Sequence, residues 1–240
     1  MKIAEVVAIP PVLPHVSAAP RGLIFDFDGL ILDTESPEFD SWRDIFTEHG
    51  CALSLEEWAV CIGTADVFDP CARLEALLGR PVDRDALRAE RRRRSDALIA
   101  AQTPLPGVVE RIGEAREMGM KLGVASSSSR DWVEGHLARL GLAAHFDCVR
   151  CADHVEHVKP DPALYRIVLD GLGLRPEDAI ALEDSPNGVL AARRAGIFCV
   201  AVPNAATRDL AFDGAGLRLT SLAELSLGEL LREVRRARGR

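Results

Sequence analysis

From Leu23 onward, short apolar runs recur along the chain, and each stops abruptly at polar residues. Leu23-Ile24-Phe25 ends at Asp26, Leu122-Gly123-Val124-Ala125 at Ser126, and Ile180-Ala181-Leu182 at Glu183. Short runs of this kind, flanked by turn residues, predict strands buried on both faces. Five follow the first strand or its helices: Lys121–Ala125, Cys148–Val149, Ala179–Leu182, Phe198–Val202 and Leu217–Leu219. Between them the apolar period lengthens to that of a helix, over Gly107–Met118, Arg130–Leu140, Pro162–Leu172, Pro186–Ala195 and Leu222–Arg235. Strands alternating with helices call for a mostly parallel sheet covered on both faces.

One stretch breaks the alternation. From Ser36 to Thr103 no strand signal appears. Phe39, Trp42, Ile45 and Phe46 recur at helical spacing up to Gly50. Ser54-Leu55-Glu56-Glu57 is a capping box that opens a second helix, closed by Gly63. Val67, Leu74, Leu77 and Leu78 mark a third, stopped by Gly79 and Pro81, and Asp83–Ala101 a fourth. The expected architecture is therefore a doubly wound, Rossmann-like α/β core of residues 21–35 and 104–240. An α-helical cap, residues 36–103, is inserted after the first strand. Residues 1–20, with their scattered prolines, read as a loosely attached extension.

The strand ends carry the chemistry. In an extended segment, positions i and i+2 point to the same side, so Asp26 and Asp28 face one small volume. Like charges that close repel unless a cation lies between them or one carboxyl keeps its proton. Ser126 and the pair Glu183-Asp184 also follow strands directly, and Lys159 lies in the loop before a helix. Ligands in such sheets bind beyond the carboxyl ends of the strands. The four loops are thus expected to form one site.

These residues resemble the haloacid dehalogenase-like superfamily, on the branch whose phosphatases and phosphomutases share a DxDGxxxDT signature. Asp26-Phe27-Asp28-Gly29 with Asp33-Thr34 matches it, and Ser126, Lys159 and Glu183-Asp184 follow in the family's order. The resemblance implies a Mg²⁺-dependent phosphatase acting on a small phosphorylated metabolite. In that reading Asp26 is the nucleophile and a metal ligand, and Asp28 is the acid and base, lending its carbonyl to the metal. Asp184 supplies a side-chain oxygen to the metal and Glu183 acts on it through water. Ser126 and Lys159 hold the phosphoryl oxygens, and the expected substrate-binding set adds Ser127, Thr34 and Gly63. Mg²⁺ fits the chemistry because it is hard, octahedral and prefers oxygen.

A β-phosphoglucomutase-like isomerase is the alternative. In that pattern a His follows the DT hinge by four residues and an Arg lies after the cap's Gly. An ungapped count places Glu38 and Asp66 there, and both are acids. Intact Asp28 argues against the dehalogenases and phosphonate-cleaving relatives, which lack an Asp at that place.

Composition narrows the partners. Basic residues number 29 against 37 acidic, a net charge of −8, so bulk attraction to nucleic acid is not expected. No apolar run approaches the roughly 18 residues that would cross a bilayer. No export signal is visible, which points to a cytoplasmic, reduced protein; the oligomeric state is open. Cys148, Cys151, His154 and His157 recur every three residues. Along a strand and loop that spacing scatters side chains, so packed thiols and surface histidines are expected rather than zinc. The Arg91–Arg94 run is expected on a solvated helix face, paired with Asp85, Glu90 and Asp96.

Overall fold

The computed structural model describes residues 20–59 and 68–239. Six parallel strands form one sheet in the order β3-β2-β1-β4-β5-β6: β1 (Gly22–Phe25), β2 (Lys121–Ala125), β3 (Cys148–Arg150), β4 (Ala179–Glu183), β5 (Phe198–Ala201) and β6 (Leu217–Arg218). The first strand is central, flanked by β2 and β4, and all four of its residues are buried.

Its alternation sorts the core into two layers. Leu23 and Phe25 pack with residues of α5 (Val108–Glu117), α6 (Arg130–Arg139) and α9 (Leu227–Arg238), among them Ile112, Leu137 and Val234. Ile24 points the other way, into a layer built by α7 (Ala163–Leu172) and α8 (Pro186–Arg194) with Tyr165, Val168 and Val189. Gly22 leaves room for its neighbours: a Cβ there would meet the Leu174 side chain and crowd the Lys121 carbonyl.

Helices α1 (Glu35–Glu48), α2 (Leu55–Ala59), α3 (Pro70–Leu78) and α4 (Arg84–Ala100) follow β1 without an intervening strand among the described residues. They own a separate apolar cluster of Trp42, Ile45, Phe46, Leu53, Trp58, Cys71 and Leu74. One residue of the sheet side joins it, Ala206 from the loop after β5. Asp69 caps α3 by accepting the Cys71 N–H at 3.0 Å, with Pro70 in the first turn and Gly79 left-handed at the end. The residues expected to close the second helix and open the third, Gly63 and Val67, lie outside the described residues.

Two departures from the sequence reading have local causes. The last helix starts at Leu227, because Ser226 and Glu229 form a capping box there; Leu222 is buried in the preceding loop. Short 3₁₀ turns occupy Ala143–His145, Ala152–His154 and Pro176–Asp178, too brief to leave a periodicity. The Cys148, Cys151, His154 and His157 side chains do not converge. Cys148 is buried beside Gly171, His154 Nδ1 bonds back to the Cys151 backbone, and His157 is exposed. No described helix is long and apolar enough to cross a membrane.

Candidate active site

β1 ends where its apolar run ends, and the chain carries Asp26 out of the sheet at the carboxyl edge. Its N–H still bonds to the Leu182 carbonyl at 3.0 Å, so the first acid is fixed by the sheet itself. Both bonds to its carboxylate fall on Oδ1: the Phe27 N–H donates at 2.7 Å and Lys159 Nζ at 2.8 Å. Burial, with the charge of Glu183, outweighs the lysine and pushes the Asp26 carboxyl up to about 7.

Lys159 is the hub. Its ammonium also pairs with Glu183 Oε1 at 2.6 Å and lies 5.3 Å from the Tyr165 ring centre. Burial works against that charge, but Asp26 and Glu183 hold the lysine protonated above its ordinary range. Glu183 is fully buried; the Tyr165 hydroxyl donates to its Oε1, and Ser185 Oγ lies 3.4 Å from its Oε2. Gly188 of α8 passes so close that a Cβ would overlap this carboxylate. Asp184, the next residue, is buried and accepts from Asn204 Nδ2 at 2.8 Å. Burial and its acidic neighbours Asp26 and Glu183 raise its carboxyl well above the usual range.

Asp28 is held differently. Trp132 Nε1 donates to its Oδ1 at 2.9 Å, and Ser128 Oγ and Ser126 Oγ donate to its Oδ2 at 2.6 and 3.3 Å. Burial raises this carboxyl, opposed by the Ser128, Trp132 and Thr34 hydrogen bonds. Thr34, itself buried, stands at the N-cap of α1. Ser127 turns to the cleft, and its Oγ has no hydrogen-bond partner among the described residues.

Every expected core residue, from Asp26 to Asp184, therefore comes to one edge of the sheet. Gly63 and Asp66 lie outside the described residues.

Oxygens of Asp26, Glu183 and Asp184 lie within 4.8 Å of one another. Counted as ionised, three carboxylates against one lysine leave an excess of −3 + 1 = −2, and the raised Asp26 and Asp184 carboxyls reflect burial together with that crowding. An all-oxygen set with that imbalance fits a hard divalent cation, and nothing in it suits a soft one.

Above these residues a cleft of about 1050 Å³ opens between the sheet edge and the four helices. Glu35, Glu38, Arg88, Arg91, Arg92 and Asp96 line its far wall, and all three tryptophans of the chain, Trp42, Trp58 and Trp132, face it. This corrects the reading of the arginine run. Arg93 and Arg94 do pair with Glu90, and Arg94 also with Glu48. Arg91 instead pairs with Glu38 at 3.0 Å and, with Arg88 and Arg92, lines the cleft; Asp96 lines it too. Spacings of three and four residues put Arg88, Arg91 and Arg92 on one helix face, which a count of consecutive arginines conceals.

Four functional neighbours carry little signal in the sequence. Trp132 and Ser128 grip Asp28, and Tyr165 and Asn204 grip Glu183 and Asp184. Trp132 could have been suspected, since it sits one turn into a helix that Ser129 caps directly after the serine run.

A doubly wound sheet with a lysine-bridged acid pair and a further acid at its carboxyl edge defines a hydrolase of the phosphate-transferring type. Residues 23–202 match the family model for haloacid dehalogenase-like hydrolases, and the chain belongs to that family, on its phosphatase branch. It is 44% identical to the putative phosphatase YhcW of Bacillus subtilis over 88% of this chain and 96% of that protein. It is 34% identical to the fructose-1-phosphate phosphatase YqaB of Escherichia coli, over 75% of this chain and 95% of that protein. The crystal structure of CbbY from Rhodobacter sphaeroides in complex with phosphate superposes with a TM-score of 0.69 at 32% identity, covering 88% of this chain and 99% of that one.

Proposed function

We propose that this enzyme hydrolyses the monophosphate of a small polyhydroxylated metabolite, a sugar phosphate or similar, through an aspartyl-phosphate on Asp26. The observation that carries the reading is the unequal holding of the two acids. Asp26 is tied by one oxygen to Lys159 and Phe27, leaving Oδ2 for phosphorus. Asp28 is bound by neutral donors that suit either protonation state. Asp26 attacks; Asp28 gives its proton to the leaving alkoxide and then takes one from the water that releases phosphate.

Lys159 and the Ser127 hydroxyl hold the phosphoryl oxygens as charge shifts, and Ser126, whose hydroxyl donates to Asp28 here, joins them by turning that hydroxyl. Asp26, Asp184 and the Asp28 carbonyl would hold Mg²⁺, with Glu183 reaching it through water. When bound, the ion neutralises charge shared by the carboxylate and the phosphoryl group. Similarity to a fructose-1-phosphate phosphatase supports a phosphorylated carbohydrate as substrate.

Isomerisation is the competing outcome. A mutase must hold a second phosphate on the cap side, and there Glu38 already engages Arg91. One assay decides. Phosphorylated carbohydrates are supplied with Mg²⁺ and released phosphate is followed, with β-glucose 1-phosphate plus a trace of its 1,6-bisphosphate run in parallel. Phosphate release that Asp26→Asn lowers by at least about a thousandfold is expected, since an amide cannot replace the attacking carboxylate. Accumulation of glucose 6-phosphate without free phosphate, or near-normal turnover by the variant, would overturn the reading.

A further inference from the structure

The loop after β5 contains a side chain whose two ends are both committed. Asn204 Oδ1 accepts the backbone N–H groups of Ala206 at 2.8 Å and Thr207 at 3.2 Å. Thr207 Oγ1, fully buried, lies 3.3 Å from the same oxygen and accepts the Asn204 N–H at 3.0 Å. With Oδ1 so occupied, the amide cannot flip, and Nδ2 must face the other way. There it donates to Asp184 Oδ2 at 2.8 Å and to the Gly29 carbonyl at 3.0 Å. Gly29, at φ +73°, makes the turn directly after Asp28, and a Cβ on it would strike both Asp184 and Asn204. The same turn seats Ala206 in the apolar cluster of the four helices.

We infer that Asn204 is a positioning residue for the cation site. It holds one oxygen of Asp184 so that the other is presented to the ion, and it pins the turn that carries Asp28. Its side chain does not line the cleft above the acids. Its anchorage beside Ala206 ties the orientation of Asp184 to the packing of the helical layer. The inference rests on the reading of Asp184 as a metal ligand.

The test is Mg²⁺ binding to the metal-free protein by titration calorimetry, with thermal unfolding in EDTA as the control. Asn204→Ser keeps an oxygen able to accept the turn's N–H groups but is too short to reach Asp184. It is expected to weaken Mg²⁺ binding about tenfold and raise the Mg²⁺ concentration for half-maximal turnover to match. KM for the phosphate ester should stay within about twofold, and the melting temperature in EDTA should fall by no more than a few degrees, the cost of the lost Gly29 bond, in a single cooperative transition. Should that variant fail to fold, Thr207→Ala and Thr207→Ser decide: loss of the hydroxyl weakens Mg²⁺ binding severalfold and the serine restores it. Wild-type Mg²⁺ affinity in a folded Asn204→Ser protein, or in Thr207→Ala, would overturn the inference. No Mg²⁺ binding by the wild type would instead remove the metal reading on which it stands.

Discussion

An ammonium shared by two buried carboxylates can orient both only if each is also held from another side. Here the Phe27 N–H steadies Asp26 and the Tyr165 hydroxyl steadies Glu183, so Lys159 is fixed between them. The acids and the lysine were legible in the sequence because each sits where an apolar run or a loop ends. Their supports were not, because Tyr165 and Trp132 lie within helices, where an aromatic residue is indistinguishable from core. Trp132 is the support whose loss should show most directly. Trp132→Phe keeps most of the bulk but removes the N–H that binds Asp28, a hydrogen bond to an ionisable partner worth about 1.5–3 kcal/mol. Turnover is expected to fall ten- to a hundredfold with KM little changed. A variant with the wild-type kcat would mean that Ser128 and Ser126 suffice to place the acid.

Elements are legible where local signals are strong and less so where tertiary contacts choose between options. The second strand begins and ends where its pattern does, whereas Leu222 and Leu225 continue the apolar spacing of the last helix beyond its true start. Their burial belongs to a loop, and the capping box decides where the helix begins. Ser226→Ala removes that cap at an exposed position outside the cleft lining. A loss of about 1 kcal/mol is expected, or some 2–4 °C in melting temperature, with turnover intact. No change on melting would show that Glu229 and the packing of Leu227 fix the helix unaided.

Gly188 tests the opposite case, a helical residue that serves the site. Alanine normally favours a helix over glycine by about 1 kcal/mol. Here its methyl group would overlap the Glu183 carboxylate, and such overpacking costs about 1–3 kcal/mol before the ion pair with Lys159 is disturbed. Gly188→Ala should therefore lower both stability and phosphate release. A Gly188→Ala protein as stable and active as the wild type would show that Glu183 can move freely.

At the scale of the molecule, parallel strands deliver acids from loops distant in sequence to one edge, and four helices close over it. That plan follows from the alternation of strand and helix patterns and from the single stretch that lacks strands. The far wall of the cleft was not legible, because α4 carries arginines on several faces and only the packing of α1 against it decides which face turns inward. One consequence of the closure is optical. Every indole in the chain borders the same cleft, so the native emission spectrum reports on a single place. Adding Mg²⁺ with orthovanadate, a phosphate mimic that is not turned over, should change emission intensity or wavelength in the wild type. The shift should need both components and should vanish in EDTA. Emission indifferent to both would mean that ligands do not reach this cleft. Otherwise, the protein carries its own gauge of occupancy, and affinities for substrates too slow to assay can be read from fluorescence without any label.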